Sequence, residues 1–205
     1  MLGRDLGSLE YAYDAVVDAG LKEPILYPLD LEGATPENYQ ELQDNLLNEF
    51  GKLDGLVHNA SILGTQMPIE QYDIKLWYST IQINLNAPFM LTQFLIPALL
   101  KSDDARIIFL SSTVGRKARA YWGAYSVSKF GIEGFAKTLS EELEKTQISV
   151  NTVNPGKLRT EMRRTAYPAE DSSTVPLPEE KSQAIVHLLS SSSPKINGEQ
   201  LTLSD

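Results

Sequence analysis

Tyr125 and Lys129 stand four residues apart in the segment Gly-Ala-Tyr-Ser-Val-Ser-Lys. On a helix that spacing puts both side chains on one face. An ammonium beside a phenol stabilises the phenolate and lowers the tyrosine pKa from its usual value of about 10. Such a tyrosine can donate or accept a proton near neutral pH. The pair alone equally describes a surface tyrosine beside a solvated lysine, so its surroundings decide. Ser112 lies thirteen positions upstream, directly after an apolar run, with Gly115 and Gly123 between.

The elements that must position these residues follow from hydrophobic periodicity and from turn and cap signals. Residues 8–19 read as an amphipathic helix with Ser8 as N-cap and Gly20 as stop. Further helices are predicted over 36–50 (closed by Gly51), 75–100, 125–145 and 179–190. Short apolar runs at 25–29, 53–58, 106–110, 148–153 and 200–203 read as strands. Strands alternating with helices signal an α/β fold on a parallel sheet. Residues 157–178 carry Pro168, Pro176 and Pro178 beside Ser172, Ser173 and Thr174, and read as a long irregular loop. A loop of that length in a compact domain suits a substrate lid.

Ligands of open parallel sheets sit at the carboxyl ends of the strands. Small and polar residues recur there: Asp30 and Leu31 after the first run, Asn59, Ala60 and Ser61 after the second. Ser111 and Ser112 follow the third, and Asn154, Pro155 and Gly156 the fourth. Four such ends in register define a crevice.

Composition narrows the classes. The 205 residues suit one domain with one core. A net charge of −9 argues against a broad nucleic-acid surface, which needs clustered Lys and Arg. There is no Cys, hence no disulfide and no thiolate chemistry. His58 and His187 lack ligand spacing, so no metal site is expected. The first residues lack the apolar core of a secretory signal, and residues 89–100 are too short and polar to span a bilayer. A cytoplasmic protein with no membrane partner is the expectation.

Together, Ser111-Ser112-Thr113-Val114-Gly115 and Tyr125-Ser126-Val127-Ser128-Lys129 resemble the active-site signature of the short-chain dehydrogenases/reductases. Asn59-Ala60-Ser61 is similar to that family's Asn-Ala-Gly turn, with Ser61 in place of Gly. Asn84 in Ile83-Asn84-Leu85-Asn86 matches its helix Asn, Asp30-Leu31 its adenine-side acid, and Asn154-Pro155-Gly156 with Thr160 its Pro-Gly-x-x-x-Thr segment. Gly115-Arg116 and Trp122-Gly123-Ala124-Tyr125 resemble a bacterial branch, the YciK-like oxidoreductases. The motifs are collinear from residue 2 to about 204.

The resemblance implies a three-layer, doubly wound Rossmann-like fold and hydride exchange between a nicotinamide cofactor and a small carbonyl or alcohol substrate. It implies that Tyr125 is the acid/base, that Lys129 lowers its pKa and bonds the nicotinamide ribose, and that Ser112 steadies the substrate oxygen. Asn84 would hold a water that links Lys129 to solvent. Pro88 has no N–H for the Asn84 carbonyl, which leaves that carbonyl for such a water. Asn59, Ala60 and Ser61 would line the adenosine, and Pro155, Gly156 and Thr160 the nicotinamide end. Arg4, just after a strand, favours the 2′-phosphate of NADP, with NAD the alternative because Asp5 follows.

The family's glycine-rich pyrophosphate loop does not occur; Gly3 and Gly7 have the wrong continuation. The expectation is therefore one domain over 1–205 that lacks the first strand and helix. The 53–58 strand should keep an unpaired edge, and the 25–29 strand should be separated from the rest of the sheet. Two outcomes remain open: an incomplete version of an active enzyme, or a shortened, inactive relative serving as a binding or scaffolding partner. The resemblance also implies a homodimer or homotetramer built on the 75–100 helix and the helix after Tyr125.

Overall fold

The computed structural model describes residues 1–203. Strands β1 (Leu2–Gly3) and β2 (Tyr27–Pro28) pair in parallel as one small sheet. Strands β3 (Gly55–His58), β4 (Ala105–Leu110), β5 (Ile148–Asn154) and β6 (Gln200–Thr202) form a second parallel sheet in that order. The run at 25–29 shrinks to two paired residues because β1 is its only partner among the described residues. There the Tyr27 and Leu29 amides donate to the carbonyls of Met1 (2.8 Å) and Gly3 (2.9 Å). The two sheets are not hydrogen-bonded to each other. Between β1 and β3 lies an apolar groove of about 740 Å³, walled by Leu2, Tyr27, Leu31, Leu56, Leu91 and Leu95. The open edge expected for the 53–58 strand is therefore present, on β3.

The helices follow their caps. In α2 (Pro36–Phe50), proline occupies the first turn, where a missing N–H is harmless. The Asn38 side chain accepts the Thr35 N–H at 3.0 Å, and Gly51 exits in the left-handed conformation at φ 74°. Helix α1 (Leu6–Asp18) begins earlier than predicted. Its N-cap is Asp5, not Ser8, and the Asp5 carboxylate accepts the Ser8 N–H at 2.8 Å. A carboxylate satisfies the free amides of a first turn and complements its dipole.

The helix predicted over 75–100 is three pieces: α3 (Ile74–Ile81), a π-helical turn (Gln82–Asn86) and α4 (Ala87–Leu99). Pro88 cannot donate to the carbonyl four residues back, and the chain widens by one residue per turn just before it. Helix α5 (Gly123–Glu142) packs across β5 and the end of β4. Phe109, Ile107, Val150, Leu99 and Tyr39 are fully buried between these layers.

The 157–178 segment is not an irregular loop throughout. It contains α6 (Glu161–Ala166) and a 3-10 turn (Ser172–Thr174), and α7 (Pro178–Leu189) starts at its end. Thr160 caps α6 by accepting the Arg163 N–H at 3.2 Å. Arg163 pairs with Glu170 at 2.6 Å, and Arg159 donates to the carbonyls of Val175 (3.0 Å) and Ser173 (2.9 Å). These polar ties hold a proline-rich stretch that periodicity alone does not describe. Among the described residues no helix is long and apolar enough to cross a membrane, and no group of three His, Asp or Glu is placed to hold a metal ion.

Candidate active site

Strand β4 ends at Leu110, and its continuation delivers Ser112. That residue caps a 3-10 turn (Thr113–Gly115), its hydroxyl facing the Val114 amide at 3.4 Å. Gly115 lets this turn press on α5: a Cβ there would stand 2.8 Å from the Lys129 Cβ and 2.9 Å from its carbonyl carbon. Gly123, at φ 38°, opens α5 where the Tyr72 ring leaves no room for a side chain. Between them Tyr121 adopts a left-handed backbone (φ 72°), a strained conformation for a bulky residue, and Trp122 turns inward to be buried.

Tyr125 and Lys129 share the buried face of α5, as their spacing requires. The Ser112 hydroxyl lies near enough to the Tyr125 phenol to favour its ionised form. The Lys129 ammonium lies 5.6 Å from the Tyr125 ring centroid and donates to the Leu110 carbonyl at 2.8 Å. Burial pushes the Tyr125 phenol above its ordinary value, and the neighbouring Ser112 hydroxyl opposes this. The lowering expected from Lys129 is therefore reversed. Desolvation of the phenolate is the largest cause and sets the net direction. Lys129 itself is pushed down to about 8 by burial, with the Glu133 carboxylate acting the other way.

Asn84, in the π-helical turn, is buried. Its amide accepts the Ile62 N–H (2.8 Å) and donates to the Ile62 carbonyl (2.8 Å) and the Ser128 hydroxyl (3.1 Å). It thus ties the loop after β3 to α5, one residue from Lys129. His58 stacks on Phe109 at 4.5 Å and contacts the Thr92 hydroxyl at 2.9 Å. Burial, helped by the Lys129 charge, pushes it down to about 3, so it is a neutral core residue at pH 7.

Arg4, Asp30, Leu31, Ala60 and Ser61 come together around a cavity of about 210 Å³ at the carboxyl ends of β1, β2 and β3. Asp30 accepts the Glu32 N–H at 3.1 Å, and the Ser61 hydroxyl is buried without a partner. Asn59 is exposed and lines the groove between the sheets instead. At the far end, Gly156 (φ 78°) donates to the Asn154 side chain at 3.1 Å and lines a cavity of about 700 Å³ with Ser112. Pro155 is half-buried between them, and the Thr160 hydroxyl is engaged in capping α6.

Sequence reasoning missed four residues of the site. Arg116 pairs with Glu133 at 2.7 Å and donates to Thr152, Thr202 and the Leu201 carbonyl, tying the Ser112 loop to α5, β5 and β6. Glu133 sits four residues after Lys129, a helical spacing that was available as a signal. Trp122 and Tyr167 form a small apolar cluster with Tyr125, Leu63 and Val114, onto which Met162 and Ala166 of α6 pack. Nothing local in the sequence points to that contact.

A strand-end serine beside a buried tyrosine, a lysine one turn on, and cavities at the carboxyl ends of the strands in both sheets define a Rossmann-type oxidoreductase site. The chain belongs to the short chain dehydrogenase family, whose model matches residues 5–171. It is 40% identical over 178 residues to the uncharacterized oxidoreductase YciK of Escherichia coli K12, covering 87% of this chain and 70% of that protein. The 3-oxoacyl-[acyl-carrier-protein] reductase FabG of Salmonella typhimurium is 34% identical over 136 residues, and this chain spans 55% of its length. A short chain dehydrogenase from Shigella flexneri, solved in complex with NADP, superposes with a TM-score of 0.95 at 38% identity, covering 98% of this chain and 84% of that one.

Proposed function

We propose that this chain exchanges hydride between NADP(H) and a carbonyl or alcohol substrate. The observation that carries the reading is Ser112 lining the 700 Å³ cavity close to the buried Tyr125, with the buried Lys129 on the same helix face as Tyr125. The residues present fit the cofactor's two ends. The Ser61 hydroxyl is an unpartnered polar atom at the small cavity, and the Ser111 hydroxyl another at the end of β4. Arg4 at that small cavity suits a 2′-phosphate, and the neighbouring Asp5 carboxylate is turned into α1 by Ser8. The NADP complex of the S. flexneri relative supports the same preference. Asp30, Leu31, Asn59 and Ala60 complete the adenosine end; Pro155, Gly156 and Thr160 flank the nicotinamide end.

When bound, reduced nicotinamide supplies the hydride. Tyr125, held protonated at neutral pH, gives its proton to the carbonyl oxygen, and Ser112 hydrogen-bonds that oxygen as negative charge develops. Lys129 would bond the nicotinamide ribose and return a proton to Tyr125. Asn84 fixes the geometry behind Lys129, and its carbonyl, without the donor that Pro88 lacks, holds the water that reconnects Lys129 to solvent. The 157–178 segment acts as the lid, since α6 already packs on Trp122 and Tyr125. We further infer a cytoplasmic homodimer or homotetramer. Exposed Phe89 on α4 with Val127 and Phe130 on α5 supplies an apolar face for it.

The test follows NADPH absorbance with a panel of aldehydes and ketones. Carbonyl-dependent oxidation is expected, with a preference for NADPH over NADH of about tenfold that Arg4→Ala removes. Bound NADPH that no carbonyl oxidises contradicts the reading.

A further inference from the structure

The loop that carries Ser112 continues through Lys117 and Arg119 before α5 begins, and all three line the 700 Å³ cavity. Lys157 and Arg163 line it from the segment after β5. Among the described residues, four cationic side chains and no Asp or Glu line this space, in a chain with 27 acidic and 18 basic residues. The local sign is opposite to that of the whole molecule.

The four cations differ in how far they are already neutralised. Arg163, and more weakly Lys157, holds the Glu170 carboxyl below its usual range, and Glu170 lies outside the cavity lining. Lys117 and Arg119 enter no ion pair among the described residues. Arg119 is nevertheless held in place. Its Nη1 donates to the Tyr167 hydroxyl at 2.7 Å, and its guanidinium lies 5.8 Å from the Trp122 ring centroid and 5.6 Å from that of Tyr167. Stacking and one hydrogen bond fix the plane of the fork and leave further N–H donors for a ligand. A fixed guanidinium is the group that grips carboxylate or phosphate with two parallel hydrogen bonds.

We propose that the substrate carries an anionic group, a carboxylate or a phosphate, which Arg119 and Lys117 hold while the carbonyl lies at Ser112 and Tyr125. This rests on the oxidoreductase reading of the site. One backbone segment carries both the Ser112 hydroxyl and the two cations, so it sets the distance between the reacting and charged ends. Trp122, Val114, Ala118 and Tyr167 give the wall between them an apolar surface that suits an aryl or alkyl spacer.

The chain has two tryptophans, so Trp77→Phe leaves Trp122 as the sole fluorescent reporter, in the cavity wall. This protein is titrated with 4-acetylbenzoate against its methyl ester, and with 4-acetylphenyl phosphate against 4-methoxyacetophenone. At least one anion is expected to bind about tenfold more tightly than its neutral partner, and which pair does so separates carboxylate from phosphate. Added salt weakens the preference. The exposed Lys117→Gln reduces it, Arg119→Gln with Lys117→Gln abolishes it, and Arg119→Lys retains part of it. Equal affinities in both pairs, or a preference that survives the double variant, overturns the inference. Carbonyl reduction without anion preference sinks this inference and leaves the oxidoreductase reading standing. Anion-selective binding with no carbonyl reduced does the reverse.

Discussion

Tyr125 serves a reduction as an acid only while it keeps its proton, and burial provides for that by raising its pKa. Lys129 is the residue under electrostatic load. Its folded pKa of about 8 lies below the ordinary 10.5, because burial disfavours the ammonium. Between those values the unfolded chain binds a proton that the native state does not. Unfolding free energy therefore rises with pH across that window. Tyr125, raised, acts in the opposite sense only above pH 10. From pH 8 to 10 the wild-type chain is expected to gain about 2 kcal/mol relative to Lys129→Met, measured by urea unfolding at each pH. Parallel curves for the two proteins would show that the Lys129 ammonium is not desolvated.

At the level of elements, local chemistry was legible and distant contact was not. Helices α2 and α7 and strand β4 formed within a residue or so of expectation, because their caps and apolar runs are contiguous in sequence. Ser112, Tyr125 and Lys129 were readable for the same reason. The first cap went to Asp5, an equally good capping residue one turn before Ser8, whose carboxylate accepts the Ser8 N–H. The π-helical turn before Pro88 was not anticipated; proline signalled a lost hydrogen bond, not how the backbone would absorb it. Helix α6, packed on Trp122 and Tyr125, and the ties of Arg116 to Leu201 and Thr202 depend on partners far along the chain. How tightly elements meet was likewise hidden: the turn after Ser112 touches α5 at Gly115 with no space for a methyl group. Gly115→Ala should displace Lys129 and lower kcat at least about tenfold, while the melting temperature falls only a few degrees. Unchanged kcat would mean that the loop and helix adjust without disturbing the site.

Over the whole molecule, Arg4 and Asp30, proposed for the adenosine side, follow the strands of the β1–β2 sheet, whereas Ser112, Tyr125 and Gly156 follow the β3–β6 sheet. On the proposed reading a dinucleotide would bridge two sheets that share no hydrogen bonds, and its binding should raise the melting temperature of the entire chain. The proposed binding is spread across both sheets, but the proposed proton transfer rests on one phenol. The decisive measurement follows NADPH oxidation by a reducible carbonyl in wild type and Tyr125→Phe, with thermal stabilisation by NADPH recorded for each. The phenylalanine variant should still be stabilised by NADPH yet lose turnover by about a hundredfold or more. Undiminished turnover in that variant would contradict the assignment of the proton to Tyr125.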